Sequence, residues 1–204
     1  MPKQMFYNIS EEKRKTFIEA AIAEFTYKQF NEVSILSISK KAEISRGTFY
    51  NYFDNIGELF DFIFESIKKQ RAQNAKQLLK KSNNNIFKFM SELFLLDFDE
   101  FKQQGRYSLF RNYIYYIRSN HKSIKQEIIL PLINEISSFE DIDTTFDFTS
   151  YKYDKSEFLN TLEILIIIVI DIYISSDKEN LKKEEVINKI NFAVDLIEEG
   201  CKKR

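Results

Sequence analysis

The chain has 204 residues, long enough to bury a core in one domain or in two modest ones, and a formal net charge of −1. Hydrophobic residues make up 44% of it, but only four glycines and two prolines occur, so the composition favours an all-α fold with short connections. Its single cysteine, Cys201, excludes an internal disulfide and is typical of a reducing compartment. The N-terminal stretch MPKQMFYNISEEKRK lacks the apolar run of a signal peptide, and we therefore expect a cytoplasmic protein.

Four helices are predicted in the first part of the chain, each introduced by a capping side chain. Ser10 precedes a long helix with an apolar stripe, and Ser34 and Ser45 precede two short helices. Asn55, with Glu58 three positions later, resembles a capping box and begins the fourth helix. Two short helices that are joined by a tight turn and packed on a longer one describe a helix-turn-helix.

The same part of the chain is basic. Residues 1–81 contain 14 Lys and Arg against 10 Asp and Glu, whereas residues 82–204 contain 16 against 21, a balance compatible with a polyanion as partner of the first part. The second short helix of a helix-turn-helix enters the major groove of DNA. There Arg46 could read guanine O6 and N7, and Gly47 permits close approach to the sugar-phosphate backbone. The predicted DNA-binding residues are Ser34, Ser45, Arg46, Gly47, Thr48, Tyr50, Asn51 and Tyr52.

The stretch SILSISKKAEISRGTFYNYFDNIGEL, residues 34–59, resembles the DNA-binding segment of TetR-family transcriptional regulators. The family pattern has Ser or Thr at the first cap, Ala-Gly-Val-Ser at the turn and Gly-Thr-apolar-Tyr in the second short helix. The residues that match it are Ser34, Ile38, Ala42, Ser45, Gly47, Thr48, Tyr50, Tyr52, Phe53, Glu58 and Leu59, with Ile44 and Phe49 as conservative matches. The resemblance covers residues 10–60 and implies a three-helix DNA-binding domain followed by a larger, divergent helical domain for effector binding and dimerisation.

Three departures from that pattern raise the alternative of a head that no longer reads operators. Glu43 stands where the family has glycine at the turn, Ser39 replaces a buried alanine, and Ile56 replaces a lysine that meets a phosphate. Loss of that lysine is expected to remove one backbone contact and to lower the salt dependence by about one unit. The chain would then be a helical small-molecule-binding or protein-interaction module. Arg46 argues against this alternative, because such a module has no need of a guanine-reading side chain.

The second half is rich in aromatic residues, most of them within residues 87–116. Most of these rings are expected to build a core, and the alternative is an apolar effector pocket with tyrosine hydroxyls as its polar groups. Pro131 should kink or end a helix, which in TetR-like proteins often borders the ligand cavity. Glu163 or Asp171 would favour a cationic effector if either faced the pocket. The predicted ligand-binding residues are Phe94, Phe98, Phe110, Tyr113, Tyr116 and Ile117.

The last two predicted helices form the expected dimer seam. EFLNTLEILIIIVIDIYISS is apolar nearly all round, and KEEVINKINFAVDLIEEGCKK is amphipathic. Two such helices from each chain would form an intermolecular four-helix bundle, although they could also pack within one chain. The apolar run Leu162–Ile174 is shorter than the roughly 20 residues of a membrane span, so no membrane contact is expected. The predicted dimerisation residues are Ile167, Ile170, Ile174, Ile190, Val194 and Ile197.

An enzyme is not expected from this sequence. His121 and Cys201 are the only residues of their kinds and lie far apart in the chain. No glycine-rich loop is suited to a phosphate and no cluster has the spacing of metal ligands, so we expect neither a cofactor nor a metal. The acidic and aromatic stretch Phe139–Asp154 has no helical period and is expected to be an ordered loop, either a lid or a dimer contact.

Together these observations predict a homodimeric, ligand-responsive transcriptional regulator of the cytoplasm. We expect a repressor that binds a palindromic operator in double-stranded DNA and is released by a lipophilic or aromatic small molecule. Its expected division is a helix-turn-helix domain in residues 1–54, a connecting helix in 55–81, and an effector-binding and dimerisation domain in 82–204. The resemblance implies that ligand binding spreads the two heads until they no longer fit successive major grooves.

Overall fold

The computed structural model describes residues 1–79, 85–103, 106–138 and 146–203, and within these ranges the regular elements are helical. The all-α prediction is therefore confirmed. The chain forms two compact units. The first unit consists of Met1–Arg71 and Ser108–Tyr116, and the second consists of Ala72–Tyr107 and Ile117–Arg204. The predicted functional boundaries after residues 54 and 81 remain predictions.

The helices of the first unit begin at the capping side chains that the sequence indicates. Ser10, Ser34 and Ser45 each accept a hydrogen bond from the backbone N–H three residues later, at 3.4, 3.1 and 3.0 Å. Asn55 Oδ1 accepts the Glu58 N–H at 2.9 Å, so this predicted cap is also present. The bounds are α1 Gln4–Asn8, α2 Glu11–Tyr27, α3 Ile35–Lys41, α4 Arg46–Tyr52 and α5 Ile56–Leu79.

Helix α1 was not predicted, and it places an aromatic side chain in the core of the first unit. Phe6 is fully buried and meets Phe53 edge-on, with ring centres 5.0 Å apart. Phe17 of α2 stacks on the other side of this cluster, with its ring centre 5.9 Å from that of Phe53. The rings therefore hold α1, α2 and the residue after α4 together, in the edge-on and offset arrangements that aromatic pairs prefer.

Residues 108–116 contact the rest of the first unit through the buried polar residue Asn112 and through Tyr113. Asn112 Nδ2 donates to the carbonyl oxygens of Phe25 and Lys28, each at 2.6 Å, and so satisfies acceptors at the C-terminal end of α2. Tyr113 stacks on Phe64 of α5, with ring centres 3.8 Å apart. This part of the chain is therefore integral to the unit that contains the helix-turn-helix.

The second unit contains the remaining helices and an unusual turn before Pro131. Its elements are α6 Ile86–Gln103, the two ends of α7 Arg106–Ser119 outside residues 108–116, a π-helical turn Lys125–Ile129, α8 Leu130–Ser137, α9 Lys155–Glu179 and α10 Lys183–Cys201. The predicted kink at Pro131 takes the form of this π turn, in which the Leu130 N–H donates to the Lys125 carbonyl. Because proline has no N–H, the regular α pattern cannot continue through this position.

Helix α9 is the most apolar element of the chain. Its residues Ser156–Glu179 are long and apolar enough to cross a membrane, judged by length and composition alone. A core helix of a soluble protein passes the same test, and α9 buries Leu162, Leu165 and Val169 within the second unit. This single helix is therefore weak evidence for a membrane span.

The predicted loop Phe139–Asp154 is described only in part, because residues 139–145 lie outside the described residues. In the remainder, Phe146 is buried beside Phe89. Tyr151 forms an isolated antiparallel bridge with Lys202, and the Lys152 N–H donates to the Cys201 carbonyl at 2.9 Å. The described part of the loop is thus fixed to the end of α10, and its predicted role as a lid or dimer contact stays untested.

Candidate DNA-binding interface

Helices α3 and α4 form a helix-turn-helix whose turn contains a strained residue. The turn is closed by the Ile44 N–H, which donates to the Ser39 carbonyl at 3.0 Å. Glu43, which stands at the position of the family's glycine, has a φ of +54°. This left-handed conformation costs a residue with a side chain on the order of 1 kcal/mol relative to glycine. The turn therefore keeps its geometry despite the departure, at some cost in stability.

A buried carboxylate holds α3 against α2. Glu24 lies inside the first unit, where its two oxygens are each 2.8 Å from a lysine ammonium, Lys28 on one side and Lys41 of α3 on the other. Burial opposes the charged form of Glu24, but the hydrogen bonds from Lys28 and Lys41 outweigh it and lower its pKa to about 2. Sequence reasoning missed this residue. The signal was an acid on the apolar side of a predicted helix, between Ala21 and Phe25.

The start of α4 presents its side chains to solvent. Ser45, Arg46 and Gly47 are exposed, and Asn51 is exposed one turn later. The Arg46 guanidinium forms no hydrogen bond or ion pair with the described residues. On the opposite side, Phe49 is fully buried. Helix α4 therefore packs through one face and leaves the predicted DNA-binding face uncovered.

Gly47 is not required by the packing of the protein itself. A Cβ built on Gly47 would meet Ser45 Oγ at 3.7 Å, an ordinary van der Waals contact, and no other atom of the described residues within 4 Å. Glycine in a helix interior is unfavourable by about 0.5–1 kcal/mol relative to alanine. A small residue at this exposed position is therefore consistent with the close approach of another molecule.

The predicted DNA-binding residues differ in how freely they can reach such a molecule. Tyr50 is exposed, whereas Thr48 is partly covered and its hydroxyl lies 2.8 Å from Ser45 Oγ. Ser34 is exposed but serves first as the cap of α3. Tyr52 is 7% exposed, and its ring meets Phe6 and Phe17 edge-on.

Tyr52 lies mostly in the core, and its predicted contact with DNA stays a prediction. The helical period turns its ring into the aromatic core, where the side chain packs rather than reaches outward. Tyr52 also borders a groove of about 610 Å³ between the start of α2 and the turn before α4. A role in binding DNA would therefore fall to the part of Tyr52 that borders this groove.

The six predicted ligand-binding residues are buried, but the structure does not gather them into one unit. Phe110, Tyr113 and Tyr116 belong to the first unit, and the other three belong to the second. Tyr116 packs against Phe30, with ring centres 4.5 Å apart. In the second unit, Tyr173 stacks on Phe98 and donates its hydroxyl to the Phe94 carbonyl at 2.5 Å. These described contacts are those of core residues, and the predicted effector site remains a prediction.

The two acids considered for a cationic effector have other environments. The Glu163 carboxylate lies 2.7 Å from the Lys125 ammonium. Asp171 is exposed on α9. Glu163 thus already has a cation as partner in this structure, and the predicted cationic effector stays a prediction.

The predicted dimerisation residues divide between the surface and the core. Ile167 is exposed, whereas Ile174 and Ile197 are partly covered. Ile170, Ile190 and Val194 are buried within the second unit, where they pack inside one chain, and their predicted role in a dimer stays a prediction. The exposed apolar side chains of α9 and α10 that sequence reasoning missed are Ile164, Ile168, Phe192 and Leu196.

Comparisons with known proteins agree with the helix-turn-helix. A family model described as bacterial regulatory proteins, tetR family, matches residues 17–63. YhgD, an uncharacterized HTH-type transcriptional regulator of Bacillus subtilis (strain 168), is 32% identical over 74 residues. The match covers 36% of this chain and 39% of YhgD, so the chain spans about two fifths of the length of this relative.

Solved structures extend the likeness in fold to nearly the whole chain. The fatty acid degradation regulator FadR from Bacillus halodurans superposes with a TM-score of 0.67 at 12% identity, covering 93% of this chain and 96% of that one. A TetR family transcriptional regulator from Pseudomonas syringae pv. tomato str. DC3000 gives a TM-score of 0.63 at 18% identity, with the same coverage. Such low identities describe the fold alone. The family model therefore identifies residues 17–63, which include the helix-turn-helix, as similar to the DNA-binding part of tetR-family regulatory proteins, and the solved structures show a TetR-like fold for the rest.

Proposed function

We propose that this chain is a cytoplasmic, homodimeric DNA-binding regulator of transcription, which binds a palindromic operator and represses until a lipophilic or aromatic small molecule releases it. The observation that carries the DNA-binding part is the start of α4. There the Arg46 guanidinium is exposed and makes no ion pair with the described residues, beside a glycine that internal packing does not require.

The role of Arg46 follows from its geometry. An arginine that is not engaged inside the protein keeps both edges of its guanidinium for a guanine, which offers two acceptors in the major groove. Each such pair is worth about 1–3 kcal/mol of discrimination against the wrong base. Gly47 lets the helix backbone approach the phosphates, where contacts set affinity and register but not sequence preference.

The dimeric part of the proposal is supported by the exposed apolar side chains of α9 and α10. Ile164, Ile167, Phe192 and Leu196 project from helices whose other faces form the core of the second unit. Soluble proteins rarely leave contiguous apolar surface uncovered, and a second copy of the same face would cover it. A two-fold dimer presents two copies of α4 and so requires a palindromic operator.

The experiment is a selection of random duplex DNA on the immobilised protein at moderate salt, followed by sequencing of the bound fraction. We expect enrichment of a palindrome. The same selection on Arg46→Ala should lose preference at one base pair in each half-site, by about 10–100-fold. Arg118→Ala removes an equal charge from an exposed position on α7 and serves as the control, which should select the wild-type palindrome.

Two outcomes would contradict the proposal. Equal losses of Arg46→Ala on the selected and on scrambled DNA would mean that this side chain contacts phosphates and does not read a base. If the folded wild-type protein enriched no sequence, the head would not read operators, and the function would lie in the helical second unit. If the selection succeeds, the enriched duplex becomes the probe with which lipophilic and aromatic compounds are screened for release.

A further inference from the structure

We propose that the N-terminal segment Lys3–Asn8 is a positioning element, which holds the C-terminal end of α4 and so sets how the helix presents Arg46. We call this segment, together with the ion pair between Lys3 and Asp54 that holds it, the clamp. The inference rests on the proposed DNA-binding function and deepens it, because it names residues outside the helix-turn-helix that act through α4 without touching DNA.

The first observation is that Lys3 satisfies two carbonyl oxygens at the end of α4. Its backbone N–H donates to the Tyr52 carbonyl at 2.8 Å, and its ammonium donates to the Tyr50 carbonyl at 2.9 Å. The last four carbonyls of a helix have no partners within the helix and need outside donors. A cation at this end also complements the helix dipole. Lys3 therefore acts as a C-terminal cap supplied from 47 residues away in sequence.

The second observation is that Asp54 holds the Lys3 ammonium in place. The two charged groups are 2.6 Å apart, and both side chains are well exposed. Asp54 is itself fixed, because its backbone N–H donates to the Glu58 carboxylate at 2.7 Å, at the start of α5. An exposed pair contributes little to stability, since water screens it. Its effect is therefore expected mainly on the geometry of α4.

The third observation is that the segment is anchored beside the same helix end. Phe6 is fully buried, and its ring lies 5.7 Å from that of Tyr52 and 5.0 Å from that of Phe53. The segment thus contacts the end of α4 through two hydrogen bonds on one side and an aromatic cluster on the other. A short helix held at its end in this way cannot tilt without breaking those contacts.

The length of α4 explains why a clamp at its end would matter for recognition. It has seven residues, and helices this short have no independent stability in water, so tertiary contacts set their orientation. Arg46 and Tyr52 are separated by about 9 Å along the helix axis, at 1.5 Å per residue. Loosening the Tyr52 end therefore moves the Arg46 end relative to the groove.

A direct phosphate contact by Lys3 is the competing role, and it makes opposite predictions. If Lys3 neutralised a phosphate, Asp54→Asn would free the lysine and remove a repulsive carboxylate, so affinity would rise. Lys3→Gln would then lower the salt dependence of binding by about one unit. If Lys3 positions α4, Asp54→Asn and Lys3→Gln both weaken binding and leave the salt slope unchanged.

The test measures binding to the selected duplex and to a scrambled duplex over a range of salt. It compares the wild type, Lys3→Gln, Asp54→Asn and the double variant, with Lys189→Gln on exposed α10 as control. We expect each single change to weaken binding to the selected duplex about 2–5-fold, the range of a charge at a helix terminus, and the double variant to match the singles. Tighter DNA binding by Asp54→Asn, or a weaker dependence of DNA affinity on salt concentration for Lys3→Gln, would overturn the positioning role.

A DNA-free measurement separates this inference from the proposed function. Amide hydrogen exchange of the free protein should accelerate at the Phe53 N–H, which donates to the Phe49 carbonyl at 2.9 Å, in both single variants and not in Lys189→Gln. Unchanged exchange would refute the clamp even if the wild type binds its operator. Conversely, a wild type that selects no duplex refutes the proposed function, and with it the role of the clamp in recognition, whatever the exchange rates show.

Discussion

The exposed face of α4 and the exposed face of α9 and α10 differ in chemistry although both belong to helices that pack through their other sides. On α4 the exposed side chains are polar, with Arg46 and Asn51 reaching into solvent. On the last two helices they are large and apolar, including Phe192 at 68% and Leu196 at 63% exposure. A charged and hydrated surface suits a polyanion, and an apolar one suits a partner that excludes water. The two faces therefore favour two partners, DNA and a second copy of the chain.

The largest expected effect is the loss of the proposed dimer in Leu196→Asp. A charge within the proposed apolar contact should weaken association by about 2–3 kcal/mol, or roughly 30–150-fold in Kd, because the carboxylate would be buried without a partner. Sedimentation equilibrium over a range of protein concentrations measures this change, and circular dichroism should show unchanged helicity.

The control for this change is Leu36→Asp. Leu36 is 68% exposed on α3, so the same substitution is made at an equally exposed leucine outside the apolar face. The Leu36→Asp variant should form a dimer with the same Kd as the wild type. If Leu196→Asp and Leu36→Asp formed dimers with the same Kd, the proposal that α9 and α10 form the dimer interface would be wrong.

The next largest effect is the loss of folding stability at low pH that Glu24 causes. Glu24 packs between α2 and α3, and α3 in turn contacts α4. Its pKa in the folded protein is lowered to about 2 from an ordinary 4.5, so its ionised form stabilises the fold. This contribution is present above pH 4.5 and is lost as the pH falls from there towards 2. Glu24→Gln should therefore lower the free energy of unfolding on the order of 2 kcal/mol at pH 7 and flatten its dependence below pH 4.5.

Urea denaturation at pH 7, 5 and 3 tests this, with Glu19→Gln on the same helix as control. Glu19 is exposed and forms a long ion pair of 3.9 Å with Lys15, so its replacement should change little. A wild-type stability that does not fall between pH 5 and 3 would contradict the stabilising role of Glu24.

A smaller effect is expected at Gly47, where one substitution should raise thermal stability and lower DNA affinity. Gly47→Ala should raise the thermal midpoint, because alanine is the better helix former by about 0.5–1 kcal/mol and its Cβ has room. Binding to the selected duplex should nevertheless weaken by about tenfold, or 1.4 kcal/mol, if the backbone approaches DNA here.

Gly200→Ala on α10 is the matched control, since a Cβ there also has room and meets no atom of the described residues within 4 Å. It should raise the thermal midpoint and leave DNA binding unchanged. Unaltered DNA binding by Gly47→Ala would show that the start of α4 is not in close contact with DNA.

The smallest effect concerns Ser39, whose hydroxyl is buried without a hydrogen-bond partner among the described residues. Ser39→Ala should stabilise the first unit by about 1 kcal/mol, because an unsatisfied buried hydroxyl is removed with little change in volume. The control is Ser37→Ala, which removes a hydroxyl that donates to the Ser34 carbonyl at 2.9 Å and should not stabilise. Thermal unfolding compares them, and a destabilised Ser39→Ala would mean that the hydroxyl is hydrogen-bonded in solution.

Local signals in the sequence were sufficient to predict most helices. A capping serine acts on an N–H three residues away, and an apolar stripe repeats within one turn, so the starts of α2, α3, α4 and α5 could be predicted without knowledge of distant residues. The exposed positions Arg46 and Gly47 followed from the same helical period. The short helix α1 escaped, because five residues are too few to show a period.

Tertiary structure alone decided which side chains share a surface. Helices α9 and α10 have apolar residues on several sides, so periodicity could not tell the buried Ile190 from the exposed Leu196. Likewise, the partners of Glu24 and Lys3 lie on other elements, and no spacing along the chain reports them. The sequence by itself therefore determined the helices and the polar face of α4. The packing of those helices determined the apolar face and the contacts that hold α4, because both depend on residues brought together only by folding.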